Sequence, residues 1–343
     1  MSLRIHHSRG QCSNPNVRLR VRGTPEPIVF LAALSRTIGI GHASRVQTLA
    51  RECQDREQPA VVVLKDPDNL SDRLDWSGLE VRKVVRGAQW IESIGPERKI
   101  LVTDLPGLSP HTADTARKAG FKFLVHLCVD GADHYSADLF LNASPSPLPL
   151  IPAAMRMSSG LQFAIIRPEI RKCRPAASWG RGSIKRGLVA MGGSDSHNLA
   201  GTMAHYLQLL GISPTIVAGP AVSSDRLDKW RGEGFDVRSS PTGSELAGMM
   251  LQNDLVVTPG GVTSFEAMHL GTPVLCVDFG RQGWFCRNLA SAGIATLINE
   301  SALNNPTALD VSRLMKAAAE GFQIVDGRGA TRALSTILEF GCE

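Results

Sequence analysis

No stretch of this sequence is apolar for long enough to cross a bilayer. Its longest mostly apolar runs, 28–34 and 121–128, are strand-sized, well below the roughly 20 residues a spanning helix needs. No CxxC pair is present, so zinc-ribbon and dithiol redox chemistry lose their usual signature. The seven cysteines, Cys12, Cys53, Cys128, Cys173, Cys276, Cys286 and Cys342, are odd in number and widely spaced, and read as reduced thiols of a cytoplasmic protein. No basic stripe runs through the chain either. The net charge is only +5, and apart from Arg18, Arg20 and Arg22 the positive residues are dispersed. Nucleic acid is therefore not an expected partner, whereas an anionic small ligand is compatible. Residues 1–27 lack the apolar core of a signal peptide and are expected to form a loose extension.

What is present is the composition of a folded globular protein, 43% hydrophobic and 20% charged. At 343 residues the chain exceeds what one core usually supports, so two domains are expected. Apolar strand-like runs at 28–33, 60–64, 80–84, 99–103 and 121–127 alternate with helical segments at 42–54 and 110–119. That alternation predicts a parallel sheet covered by helices. Residues 138–160 break the pattern with Pro145, Pro147, Pro149 and Pro152, which argues against a regular helix or central strand there. A second series follows, with strands at 187–191, 214–217, 235–238, 254–258 and 273–277 and helices at 197–211, 224–232, 244–252 and 263–270. The expected organisation is an extension 1–27, a Rossmann-like domain 28–150 and a second Rossmann-like domain 151–343, with a last helix able to cross back. Two doubly wound α/β domains of this kind place their strand-to-helix loops at a shared cleft.

Three of those loops carry chemistry. The first, Gly39-Ile40-Gly41-His42-Ala43-Ser44-Arg45, follows a strand and opens a helix, where amides and dipole favour an anion. It lacks the third glycine of a dinucleotide fingerprint, so no nicotinamide cofactor is expected. His42 projects from the helix start, and an imidazole there can accept a proton near neutral pH, which makes it the general-base candidate; a packing role is the plainer alternative. The second loop, Gly192-Gly193-Ser194-Asp195-Ser196-His197-Asn198, offers backbone donors to phosphate oxygens, or forms an ordinary turn and cap. In the third, Gly260-Gly261-Val262-Thr263-Ser264-Phe265-Glu266, the hydroxyls and amides suit a diphosphate. Glu266 suits ribose hydroxyls there, or an electrostatic cap. Beyond the next strand, Arg281 is placed to meet phosphate and Gln282 sugar hydroxyls, unless both are solvated surface groups.

Taken together these loops resemble the GT-B superfamily, and more closely the UDP-sugar hydrolases of pseudaminic acid biosynthesis and related spore-coat polysaccharide proteins, over roughly residues 28–300. The GxGHxxR opening of that family matches Gly39, Gly41, His42 and Arg45, with its catalytic histidine on His42. Asp104-Leu105-Pro106-Gly107 is similar to its Asp-His-Tyr-Gly, and Asp138–Asn142 to the end of its first lobe. Phe163–Glu169 resembles its interdomain segment, and Met191–Asn198 its Met-Gly-Gly-x-Asp-x-x-Asn loop. From Gly260 to Ala295 the chain also resembles glycosyltransferases that make peptidoglycan lipid precursors, with Glu266 on the ribose position and Gln282 on a sugar position. Pro106, Arg281, Leu31 and Ala33 depart from the hydrolase pattern, which leaves the sugar and the acceptor open.

The resemblance implies a GT-B-like pair of domains facing a central cleft, with a UDP-sugar as substrate and neither metal nor further cofactor. The implied reaction is inverting hydrolysis, with His42 activating water. Gly39, Gly41, Arg45, Asp104, Gly192, Gly193, Ser194, Asn198, Gly260, Gly261, Thr263, Ser264, Glu266, Arg281 and Gln282 are the implied binding set. Transfer to a hydroxyl acceptor by the same base is the main alternative, and a non-catalytic nucleotide-sugar binder the lesser one.

Overall fold

The computed structural model describes residues 26–84, 91, 94, 100–127, 136–145, 156–178, 180, 182–279, 283–299, 303 and 308–341. The first sheet contains β1 (Ile28–Ala33), β2 (Ala60–Lys65), β3 (Glu80–Val84), β4 (Ile100–Asp104), β5 (Phe123–Leu127), β6 (Leu139–Asn142) and β7 (Arg156–Ser159). They lie in the order β3-β2-β1-β4-β5-β6-β7, with every ladder parallel. The second contains β8 (Arg186–Ala190), β9 (Ser213–Ala218), β10 (Asp236–Ser239), β11 (Leu255–Thr258), β12 (Val274–Val277) and β13 (Thr296–Ile298). Its order, β10-β9-β8-β11-β12-β13, repeats the first pattern and is again parallel.

Both sheets are sandwiched by helices, which is why β1 reads as an unbroken apolar run, IVFLAA, with all six residues buried. Its even members, Ile28, Phe30 and Ala32, pack with α1 (Gly41–Asp55), while Val29, Leu31 and Ala33 join the cluster that includes Ala113 and Ala116 of α2 (Pro110–Lys118). After the short α3 (Pro168–Arg171), the second lobe carries α4 (Ala200–Leu209), α5 (Ser224–Gly232), α6 (Gly243–Gln252), α7 (Val262–His269), α8 (Gly283–Ser291) and α9 (Val311–Ile324). The last helix, α10 (Gly329–Gly341), returns to the first lobe, where Ala330, Ala333, Leu334 and Ile337 pack with Val46 and Leu49 of α1.

One boundary moves. The first sheet takes its edge strand from Arg156–Ser159, so the change of lobe falls after Ser159 rather than at residue 150. Prolines exclude regular structure only where they stand, and β6 has already ended at Asn142, before Pro145. Among the described residues no helix is long and apolar enough to cross a membrane.

Candidate active site

Each sheet reverses its strand order once, between β1 and β4 in the first lobe and between β8 and β11 in the second. Crevices outside the carboxyl ends of strands at such switch points are where doubly wound sheets bind ligands. Four site segments sit at these two points: the Gly39–Arg45 loop after β1, Asp104 at the end of β4, the Gly192–Asn198 loop after β8, and the Pro259–Gly261 loop after β11. They meet across the lobes. A Cβ built on Gly193 would lie 3.1 Å from the Ile40 side chain, and one on Gly41 would lie 4.0 Å from Val262. Between them is a cavity of about 550 Å³, lined among others by His42, Arg45, Ser194, Thr263 and Glu266.

At its heart is a three-residue cluster from the first lobe. His42 Nδ1 lies 2.6 Å from Asp104 Oδ1, and Arg45 donates through Nε to Oδ2 and through Nη2 to Oδ1, both at 2.7 Å. Helical spacing puts residues 42 and 45 on one face of α1, which brings both over the end of β4. Arg45 Nη2 also stands 3.0 Å from His42 Nδ1. The 2.6 Å approach decides the tautomer: a lone pair on Nδ1 facing the carboxylate would be repelled, so Nδ1 carries the proton and donates it to Asp104. Nε2 is then left with its lone pair, the form a general base requires. Asp104 is fully buried and His42 only 13% exposed. Burial pushes the Asp104 carboxyl up, but the Arg45 guanidinium, His42 and their hydrogen bonds outweigh it and bring the carboxyl to about 2. Behind the cluster, His126 is buried, bonded to Thr103 Oγ1 at 2.8 Å and pushed down to about 4 by burial, with Asp104 opposing; it is neutral at pH 7.

The second lobe faces this cluster with helix ends. The N-terminus of α7 has no side-chain cap, and its loop holds Gly260 at φ 98° and Gly261 at φ 71°. A Cβ on Gly260 would meet Phe285 at 3.0 Å and Cys286 Sγ at 3.1 Å, so glycine is required there by space as well as by backbone. The start of α1 is likewise uncapped, whereas α2, α6 and α9 are capped by Ser109, Thr242 and Asp310. Open amides at α1 and α7 are suited to an anion. The helix after the second loop differs. Asp195 takes the amides of Leu199 and Ala200 at 2.9 and 3.2 Å and pairs with Arg226, so the start of α4 is already capped by protein. On that side Gly192, Gly193 and Ser194 line the cavity.

Several expected contacts are relocated. Gly39, Gly41, His42, Arg45, Gly192, Gly193, Ser194, Gly260, Gly261, Thr263 and Glu266 line the cavity. Asp104 does not, and both its oxygens are engaged by His42 and Arg45. Ser264 is turned inward, its hydroxyl donating to Gly261 O at 2.7 Å, and Asn198 is an exposed turn residue at φ 55° outside the lining. Arg281 and Gln282 lie outside the described residues.

One partner was not legible as a site residue. Arg167, in the segment joining the lobes, grips Glu266 with two parallel bonds, Nε to Oε1 at 2.6 Å and Nη2 to Oε2 at 2.9 Å. Each carboxylate oxygen keeps a second lone pair for a ligand hydroxyl. Glu266 is 1% exposed, and burial alone would lower the guanidinium, yet the carboxylate holds Arg167 above its ordinary value. Its signal in the sequence was only the Arg-Pro-Glu run at 167–169. Replacing Arg167 with Met is expected to lower the unfolding free energy by roughly 3 kcal/mol, because a buried carboxylate loses its counter-charge. Denaturant titration checks this, and adding Glu266→Gln should recover part of the loss; a change below about 1 kcal/mol would mean the pair behaves like a surface ion pair.

No protein-family model matches the chain. An uncharacterized protein of Methanocaldococcus jannaschii is 23% identical over 274 residues, 72% of this chain; the chain spans about half, 54%, of that relative's length. Among solved structures, Acinetobacter baumannii MurG superposes with a TM-score of 0.62 at 14% identity, covering 92% of this chain and 100% of that one. A putative UDP-N-acetylglucosamine 2-epimerase from Listeria monocytogenes gives 0.58 at 14% identity over 92% and 96% of the two chains. The glycosyltransferase VinC, solved in complex with dTDP, gives 0.53 at 14% identity over 92% and 99%. At these identities the likeness shows the fold: two doubly wound Rossmann-like domains facing a central cleft, the GT-B architecture.

Proposed function

We propose that this chain is an enzyme that transfers a sugar from a nucleoside diphosphate to an oxygen nucleophile, with His42 as the base. The observation that carries the proposal is the His42–Asp104–Arg45 cluster, whose His42 and Arg45 line the same cavity as the uncapped start of α7. In the proposed step His42 Nε2 accepts the proton of the attacking O–H while its oxygen bonds to the anomeric carbon. The bond from that carbon to the diphosphate breaks, and the leaving group departs with the electron pair. Negative charge grows on the diphosphate, and amides at Gly192–Ser194 and Gly260–Thr263 are suited to receive it; one aligned donor is worth about 3 kcal/mol in such a setting. Glu266, held by Arg167, serves the ribose hydroxyls.

With UDP as the proposed nucleotide, two nucleophiles are possible. Water is supported by the sequence resemblance to UDP-sugar hydrolases; a hydroxyl acceptor is supported by the similarity in fold to glycosyltransferases. One experiment tests both levels. Melting curves with millimolar UDP, dTDP, GDP and CDP are expected to show selective stabilisation by UDP, about 2.7 kcal/mol at 100 times the dissociation constant. Chromatography then follows UDP and free sugar from UDP-sugars without an added acceptor. Stoichiometric release supports hydrolysis, release only with an acceptor supports transfer, and indifference to every nucleotide ends the proposal.

A further inference from the structure

Asp195, in the loop after β8, stands at φ 42°. That is the left-handed region, which a residue with a side chain keeps only where its surroundings hold it. The group that holds it is Arg226 of α5. Its Nη1 donates to Ser194 O at 3.4 Å and to Asp195 O at 3.2 Å, and its Nη2 donates to the Asp195 carboxylate. Its Nε is buried without a partner, so among the described residues every hydrogen bond of this guanidinium goes to Ser194 or Asp195. The guanidinium is itself backed by packing. One helical turn further along α5 stands Trp230, 3% exposed, with the guanidinium carbon 4.9 Å from its ring centroid. The indole is wedged against α4, where a Cβ on Gly201 would meet Trp230 Nε1 at 2.9 Å.

A second anchor holds the preceding peptide. Gly193 O accepts from Ala221 N at 2.9 Å, and a Cβ on Gly219 would collide with that same oxygen, so the loop after β9 packs directly on Gly193. Gly193, Ser194 and Asp195 line the cavity, whereas Ala221 and Arg226 lie outside the lining. Among the described residues no peptide bond is cis, and in a trans peptide the N–H points opposite to the carbonyl. With the carbonyls of Gly193 and Ser194 drawn back to Ala221 and Arg226, the N–H groups of Ser194 and Asp195 point the other way.

We propose that Arg226 is a positioning residue: by gripping the carbonyls of Ser194 and Asp195 it sets the amides of this loop toward the cleft, where they receive the diphosphate of the nucleotide. Lying outside the cavity lining, it acts through the loop and not by its own contact with phosphate. This rests on the nucleotide-sugar reading above. The plainer role for Arg226 is to neutralise the buried Asp195, which takes only a positive charge. Holding two carbonyls and a carboxylate together takes the fork of a guanidinium.

The test uses the full chain, its Arg226→Lys variant, which keeps the charge and loses the fork, and its Arg226→Met variant, which loses both. Melting temperature is measured without ligand, and ligand-observed NMR titration gives affinities for uridine and UDP. Arg226→Lys is expected to melt within a few degrees of the parent and to bind uridine within about twofold. It is expected to lose about tenfold or more of the extra affinity that the diphosphate confers, the share of one hydrogen bond to a charged group. Arg226→Met should lose as much of that increment and melt lower; where it fails to fold, the lysine variant carries the test. A lysine variant with the parent's diphosphate increment overturns the inference, because charge alone then suffices. Equal losses for uridine and UDP overturn it too, as does a lysine variant that melts far below the parent, since the fork then serves the fold at large. A parent that binds uridine and gains nothing from the diphosphate also overturns it. A parent that binds neither compound sinks the nucleotide reading and the inference with it, a result distinct from all of these.

Discussion

His42→Asn is expected to lower turnover by 100-fold or more while UDP affinity stays within about twofold of the parent. Asparagine is the informative replacement because its side-chain amide stands where Nδ1 stood and can still donate to Asp104, so the cluster with Arg45 persists while the basic Nε2 disappears. Steady-state kinetics beside calorimetric titration with UDP separates the two effects. A histidine that only packs or caps would show the reverse, with stability or binding affected and turnover largely intact. Undiminished turnover removes His42 from the chemistry and leaves the cavity without a base at that wall.

Asp104→Asn should be nearly as damaging to turnover, by roughly a thousandfold, for a different reason. An ionised carboxylate accepts from Nδ1–H and so fixes the tautomer; a carboxamide can present its NH₂ to Nδ1 instead and place the proton on Nε2, where it blocks base catalysis. Because Asp104 lies outside the cavity lining, the loss should fall on kcat with KM little changed, the split expected of a positioning residue. Stability should fall as well. Asp104 is buried, and its carboxyl sits at about 2, below the ordinary carboxylate range. With the folded value below the unfolded one, its stabilising contribution, about 2 kcal/mol, is fully present above pH ~4 and is lost as pH falls toward 2. Unfolding free energies measured from pH 6 down to pH 2 should therefore converge for parent and Asp104→Asn at the acid end. Parallel curves, or equal loss in kcat and affinity, count against the assigned role.

The fold was legible because its signals are local. Apolar runs of strand length, helical spacing between them and glycine at the turns all repeat within windows of a dozen residues, and ten of the thirteen described strands emerged from them, all but β6, β7 and β13. His42 was legible for the same reason, standing between two glycines and an arginine at a helix start. The edge strand Arg156–Ser159 was hidden: it reads RMSS, four residues with no alternation to separate them from the proline-rich stretch before them. The returning helix α10 was legible as a helix, but only packing shows which lobe it covers.

By itself, then, the sequence determined the doubly wound architecture, the loops that open on the cleft and the candidate for the base. Tertiary structure alone decided the partners. Asp104 meets His42 across 62 residues, and Arg167 meets Glu266 across 99. It also placed Asp104 behind the cavity wall and closed the start of α4 with Asp195. The physical reason is that periodicity records which face of an element is buried, a local property, whereas a hydrogen bond between distant loops depends on strand order and register. Those are set by the packing of the whole sheet and leave no trace in the spacing of residues along the chain.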